Sequence, residues 1–473
     1  MKRWAVSSAL APVVFFIACG FVLRAYSATL VVDPGGGTTY TTIQSAIDAA
    51  VPGQDDVFVR CGHYRENVII RDGVSVRGAG PYCATIDAQR NGSAVRMPAI
   101  IQPTVLEGFT IRNGEHTVSS AGAGIEVLAG SPEIRGNLIE DNGQTFGGFG
   151  IVVGTDFMTP SAPLITQNIV RGNRGCCYGG GILLDGPNGA VISSNLIVGN
   201  SASYGAGVYV SGGPATIANN TIVGNHAYGY GGGIAAYGPI TIANNVIAEN
   251  NAFAGGGGVF TPSPAVTFEG NDTHQNAPDN YLTPSGDPTG ANENISEDPL
   301  FVDKEDSSFA GFQPRSHSPL VDRGSPTWGP TRDLRGVPRP LDGDADAVAR
   351  VDIGARENEG LTNLRVDAVV AWDPGNHQPR KYNLYRGDLQ FLRLTGVYTQ
   401  DPTAVTGARH FCGIATDYVM DTDDPMPNQV FFYLVAAQGT VEGTLGFDSE
   451  LVERRKDLPC QESLLEAPNR SRF

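Results

Sequence analysis

A six-residue motif, Asn-x-(Ile/Val)-x-x-Asn, recurs along the middle of this chain and limits what it can fold into. Its copies open at Asn137, Asn168, Asn195, Asn220 and Asn245 and close at Asn142, Asn173, Asn200, Asn225 and Asn250, so they start 31, 27, 25 and 25 residues apart. A second marker keeps the same beat: Gly124-Ile125, Gly150-Ile151, Gly181-Ile182, Gly207-Val208, Gly233-Ile234 and Gly258-Val259. Repeats of this length with alternating aliphatic positions describe solenoid coils, each carrying about three short strands. One face of every strand turns Ile, Val or Leu inward. A single coil cannot bury that face. Coils stacked about 4.8 Å apart bury it continuously and pair their backbone amides. Asparagine at a fixed turn position suits left-handed backbone, and its amide is expected to bond its twin one coil on, forming a ladder. The glycine runs at 179–181 and 255–258 suit tight corners. A helical repeat would need longer 3.6-periodic stretches, and the sequence has none.

Ahead of the repeat, Thr41-Thr42-Ile43-Gln44 reads as a capping box, and Ile43, Ala46, Ile47 and Ala50 form an apolar stripe. A short amphipathic helix ending at Pro52-Gly53 would cover the first coil's edges. Three stretches of this region, Thr42 to Ala50, Gly62-His63-Tyr64-Arg65-Glu66-Asn67-Val68 and Val74-Ser75-Val76-Arg77-Gly78, resemble the opening of pectate-lyase-like right-handed β-helix proteins. The resemblance extends over roughly residues 28 to 300. It implies right-handed winding, which spacing alone does not. It specifies fold far better than activity, because that superfamily holds lyases, hydrolases, esterases, epimerases and non-enzymatic adhesins.

The expected fold is therefore all-β: a right-handed parallel β-helix solenoid with a short N-terminal capping helix, then a small C-terminal β-sandwich. Residues 1–27 read as an export signal, with Lys2 and Arg3 before an apolar run and Ala25-Tyr26-Ser27 as the cleavage site. A lipidation site at Cys19 is the lesser alternative. The β-helix spans 28–357, with its cap over 39–52, regular coils over about 56–276 and a closing segment over 294–357. That closing segment resembles those of secreted bacterial β-helix proteins. Alternating strands over 361–460, with Trp372 and a late tyrosine, resemble a fibronectin type III-like sandwich, and 461–473 is a polar tail. Export leaves six cysteines in an oxidising compartment. Proximity pairs Cys61 with Cys83 and Cys412 with Cys460, leaving Cys176 and Cys177 joined to each other or not at all.

A net charge of −17 argues against nucleic acid and anionic membranes as partners. An elongated, weakly charged β-surface points instead to extracellular polysaccharide, with no membrane span in the mature chain. Tyr178, Tyr204 and Tyr230 precede the Gly-Ile marker in successive coils, with Phe146 and Phe253 near equivalent positions. This column reads either as a corner-stabilising stack or as a platform for sugar rings. For catalysis, a glycosidase needs two carboxylates about 5–9.5 Å apart. Asp156 and Asp185 follow the Gly-Ile strands of adjacent coils and are the candidate pair. Arg171 and Arg174 are the cations a uronate lyase would use, and Glu140 is expected to pair with Arg171 across coils. No lysine lies between Lys2 and Lys304, which excludes a lysine base inside the solenoid. Asp342, Asp344 and Asp346 alternate as calcium ligands do, and Asp352 is expected to close a structural Ca2+ site. The reading is thus a secreted polysaccharide-interacting protein, with a polysaccharide lyase or glycoside hydrolase and a structural or adhesive surface protein as alternatives.

Overall fold

The structure, a computed structural model, describes residues 28–358 apart from 118–121, 145–147, 155–160, 187–188, 305–306, 309–310, 316 and 344–347. Beyond these it describes 365–366, 369–371, 381–388, 400, 402–405, 408–414, 418–420 and 431–438. The expected export signal and polar tail lie outside the described residues. No helix among the described residues is long and apolar enough to cross a membrane.

The chain winds as a right-handed parallel β-helix of about nine coils. Three parallel sheets run along it. The first has ten strands, from Thr29–Val32 to Val266–Glu269; the second has nine, from Val68–Ile69 to Tyr281–Leu282; the third has nine, from Gly62–Tyr64 to Asp272–His274. Each repeat passes through the second sheet, then the first, then the third. Identical side chains stack in register, as in Ile165, Ile192, Ile217 and Ile242 of the first sheet. All four are fully buried. Burying an aliphatic side chain of this size contributes about 1.5–3 kcal/mol, which is why the aliphatic columns dominate the interior.

The asparagines form two ladders. In one, the Nδ2 of Asn137, Asn168, Asn195, Asn220, Asn245 and Asn271 donates to the Oδ1 of the next member at 2.9–3.1 Å, ending at Asn294. In the other, Asn142, Asn173, Asn200, Asn225 and Asn250 do the same at 2.9–3.0 Å, reaching Asn276. The ladder asparagines are not themselves left-handed, contrary to expectation. Positive φ falls one residue earlier, at Gln167, Ser194, Asn219 and Asn244 in the first ladder and at Asp141, Gly172, Gly199 and Gly224 in the second. The preceding residue makes the bend, and this aims the asparagine inward to satisfy buried carbonyls.

The marker glycines have a steric reason. A Cβ on Gly207 would lie 2.5 Å from the carbonyl oxygen of Gly233, and one on Gly181 would lie 2.5 Å from that of Gly207. The coils pass too close there for any side chain.

At the N-terminal end, the helix Ile43–Ala49 buries Ile43, Ala46 and Ile47. Thr42 caps it by accepting from Ser45 N, but Glu66, not Gln44, receives the N–H groups of Ile43 (2.9 Å) and Gln44 (3.0 Å). The Gly62–Val68 stretch thus has a structural role: Glu66 caps the helix, His63 pairs with Asp87 at 2.9 Å, and Asn67 binds the next coil. Cys61 and Cys83 are joined as expected. Cys412 is disulfide-bonded, and its expected partner Cys460 lies outside the described residues.

The closing segment is largely irregular and packs on the outer face of the third sheet. Phe312, Leu320, Leu334, Ile353 and Ala355 form a second core with Leu138, Ile169, Leu196, Val223 and Val246. The left-handed turn residues bind it: Gln167 to Asp333 O (2.7 Å), Ser194 to Arg332 O (2.9 Å), Asn219 to Asp352 O (3.0 Å) and Asn244 to Ser325 O (2.9 Å). Farther on, six short strands form two three-stranded antiparallel sheets, with Lys381–Asp388 central in one and Val369–Ala371 central in the other. Trp372 lies outside the described residues.

Candidate functional site

The third-sheet strand of each middle coil ends at the second asparagine ladder, and a corner then leads into the second sheet. Tyr178, Tyr204 and Tyr230 occupy that corner. Tyr178 and Tyr204 are bridged backbone to backbone. Their ring centroids are 5.5 Å apart with planes at 29°; Tyr204 and Tyr230 are 6.2 Å apart at 21°; and Tyr230 stacks on Phe260 at 4.6 Å and 26°. Beside the column, the outward residues of the second sheet are Val152, Leu183, Tyr209, Ala235 and Phe260 in register. Tyr209 lies 4.8 Å from Tyr178 and 5.5 Å from Tyr237. Burial, with the neighbouring phenols adding to it, raises the Tyr209 hydroxyl above its ordinary range.

These rings lie on one another, so neighbours cover their faces and their edges point outward. That is the stacking alternative for Tyr178, Tyr204 and Tyr230, worth about 0.5–1.5 kcal/mol per pair beyond burial. A flat platform made of their three faces is not what the packing gives. Sequence reasoning missed Tyr209, Tyr237 and Phe260, although the residue after each Gly-Ile marker alternates outward and could have revealed two of them.

Phe253 is placed differently from expectation. Its N–H donates to Ala227 O at 3.0 Å, and Gly255, not Phe253, pairs with Tyr230. Phe253 is therefore in register with Tyr228, two residues ahead of the column. It is 87% exposed and Tyr228 56%. Tyr228 meets His226 edge-on, and among the described residues neither Tyr228 nor Phe253 is stacked face to face on another ring. Phe146 lies outside the described residues.

The candidate catalytic groups do not converge. Asp185 follows the second-sheet strand Ile182–Leu184, and its Oδ1 accepts from Ser211 Oγ at 2.6 Å. Asp156 lies outside the described residues. Arg171 is on the third sheet, bound to Glu140 at 2.7 Å as expected. Its guanidinium also donates to the backbone and hydroxyl oxygens of Ser307, both at 3.0 Å. The closing segment thus holds Arg171 at a different vertex from Asp185. Arg174 is exposed at the aromatic corner. Cys176 and Cys177 beside it are both free and exposed.

Asp352 does not face outward as a calcium ligand would. It is fully buried and accepts backbone N–H groups from Asp322 (2.8 Å) and Asn358 (2.5 Å). Burial, reinforced by Glu357, holds its carboxyl well above the usual range. Nearby, buried Arg339 and Glu357 pair at 2.9 Å. Asp342 is partly exposed, whereas Asp344 and Asp346 lie outside the described residues. Among the described residues no three carboxylate, histidine or cysteine groups gather as a metal site.

Residues 72–247 and 180–297 match the family model described as right handed beta helix region. No curated protein matches the sequence. Among solved structures, pectate lyase Pel9A is similar at 13% identity over 70% of this chain and 97% of its own, with a TM-score of 0.46. A pectin methylesterase from Aspergillus niger is similar at 14% identity over 58% and 91%, TM-score 0.35. Pectin methylesterase PemA from Erwinia chrysanthemi is similar at 12% identity over 55% and 80%, TM-score 0.32.

Proposed function

We propose that this chain is an exported protein that holds extracellular polysaccharide along its aromatic corner, with Phe253 and Tyr228 as the sugar-stacking rings. The observation that carries the reading is their exposure in adjacent coils. A phenyl ring 87% open to solvent has no folding role to balance its hydration cost. The stacked column beside it offers a rigid wall edged with tyrosine hydroxyls, which suit the hydroxyls of a glycan. Charge narrows the partner. No lysine or arginine lies between Arg174 and Lys304, within a chain of net charge −17. A polysaccharide of low charge therefore fits better than a polyuronate. The Cys61–Cys83 disulfide suits the oxidising compartment that export would reach.

The test is affinity electrophoresis of the full chain through gels containing neutral and uronate polysaccharides. Retardation by a neutral polymer that Phe253→Ala with Tyr228→Ala abolishes supports the proposal. Retardation unchanged in that double variant refutes it. Unsaturated or reducing-end products released from any polymer would place the chain among the enzymes instead.

A further inference from the structure

Cys176 and Cys177 are adjacent, exposed and unbridged at the aromatic corner, while the Cys61–Cys83 pair of the same chain is oxidised. Their backbone carries part of the corner: Cys177 O accepts the Tyr204 N–H at 2.9 Å, and Cys176 O accepts Ser203 Oγ at 3.4 Å. Tyr178, the first ring of the stack, follows directly.

We propose that Cys176 and Cys177 form a reversible modification site, closed into a vicinal disulfide by exchange with a low-molecular-weight disulfide, and that closure loosens the aromatic corner. Adjacent Cα atoms stand about 3.8 Å apart across a trans peptide, below the usual range of about 4.4–6.8 Å for bridged cysteines. Closing the ring therefore requires the intervening peptide to turn. That peptide contains the Cys176 carbonyl, and the Cys177 carbonyl leaves from its far end, so the bonds to Ser203 and Tyr204 give way with it.

The exchange is balanced. A thiolate of Cys177 attacks one sulfur of the external disulfide and expels one external thiolate, leaving a mixed disulfide. The Cys176 sulfur, having lost its proton to solvent, then attacks Cys177 Sγ and expels the second external thiolate. Both expelled thiolates take up the protons that the cysteines gave, so one disulfide is reduced to two thiols and one is formed. Burial, then the hydrogen bond and charge of Cys177, push the Cys176 thiol up to about 11. Only its thiolate attacks, so the second step accelerates with rising pH.

The test treats the full chain with glutathione disulfide and follows intact mass, free thiols and near-ultraviolet circular dichroism. The expected product is a monomer lacking two hydrogens and both reactive thiols, with a changed tyrosine signal. Because the ring is exposed and strained, dithiothreitol should reopen it at a concentration about tenfold or more below that needed for Cys61–Cys83. Cys176→Ser should stop at a stable glutathione adduct and keep the parent tyrosine signal. Unreactive thiols, a persistent adduct on the parent, a disulfide-linked dimer, or closure without change at the tyrosines would overturn the proposal.

Discussion

The asparagine ladder makes a sharp energetic prediction at Asn220, which is fully buried mid-solenoid. Its Oδ1 accepts the Asn195 backbone N–H and Asn195 Nδ2, both at 3.0 Å. Its Nδ2 donates to Ile192 O (2.9 Å), Ala218 O (3.1 Å) and Asn245 Oδ1 (3.0 Å). Asn220→Ala removes all five bonds, but not all the groups are stranded. Asn195 Nδ2 keeps Ile165 O and Ser193 O, Asn245 Oδ1 keeps the Asn220 N–H, and Ala218 O keeps the Ser194 N–H. Ile192 O keeps the ladder N–H of Ala218, so only the Asn195 N–H loses its partner. One stranded buried group costs about 1–3 kcal/mol, and the lost amide bonds and small void add to that, so the loss should be about 2–4 kcal/mol. Urea unfolding followed by far-ultraviolet circular dichroism and tyrosine fluorescence reads this out, provided the two probes coincide. Asn251→Ala, at an exposed position one coil on, is the control and should cost under about 0.5 kcal/mol. A loss at Asn220 below about 1 kcal/mol, or equal to the control, would mean that the ladder follows the fold without stabilising it.

Asp272 is fully buried, and its Oδ2 meets no hydrogen-bonding partner among the described residues. Burial raises its pKa to about 7, while the Glu297 N–H opposes the shift and the Glu297 and Asp298 charges add to it. The folded state thus holds a proton that the unfolded chain releases near pH 4. Stability from this group is complete below pH 4, falls as pH rises to about 7 and then levels off. The parent should therefore lose stability relative to Asp272→Asn between pH 4.5 and 7.5 by up to about 4 kcal/mol, at about 1.4 per unit; parallel urea midpoints would contradict this. Gly207→Ala, which drives a methyl into the Gly233 carbonyl, should cost about 1–3 kcal/mol or more in the same assay. Leu320→Ala should cost about 2–5 kcal/mol. It should also expose 299–358 to protease before the coils are cut, and simultaneous cleavage would disprove a separate second core.

How much of this was legible depended on distance along the chain. The coil, the inward aliphatics, the twin-to-twin amide bond and the Cys61–Cys83 bridge all follow from neighbours one period apart, and a sequence displays its own period. The Glu140–Arg171 pair came from the same logic. The left-handed turn was misplaced by one residue because both positions carry asparagine in two coils, Asn219-Asn220 and Asn244-Asn245, so composition could not tell the bend from the ladder. The docking of 299–358 on the third sheet was hidden for another reason. It joins Leu138 to Ala355 across more than two hundred residues, with no repeat to announce the pairing. Its signal was present only as unexplained polarity: Gln167, Ser194, Asn219 and Asn244 occupy turns where glycine would bend as readily, because their side chains bind that segment. The column's orientation was equally out of reach, since recurrence at a corner fixes where a ring sits but not how it tilts.

The three outer faces of the β-helix are unequally available, and this argues for where an interaction surface lies. The third sheet is sealed in its middle coils by the second core. The first sheet is flanked by 327–332, which leaves a groove of about 600 Å³ edged by Glu133, Arg135 and Trp328. The Trp328 indole there is tied to Glu269 at 2.8 Å, so its position is fixed by an internal bond. The second sheet is covered by its own aromatics: Val152, Leu183, Tyr209 and Ala235 are buried, with Tyr204 and Phe260 packed against them. What stays open beside it is the flanking corner, which presents Phe253 and Tyr228. Leaving these two rings wet incurs a hydration cost with no return in folding. Mild solvent perturbation of tyrosine absorbance, with and without a neutral polysaccharide, tests that step directly. Protection of Tyr228 that disappears in Tyr228→Phe would place the glycan on the corner, and equal perturbation in both conditions would leave the corner without its proposed occupant.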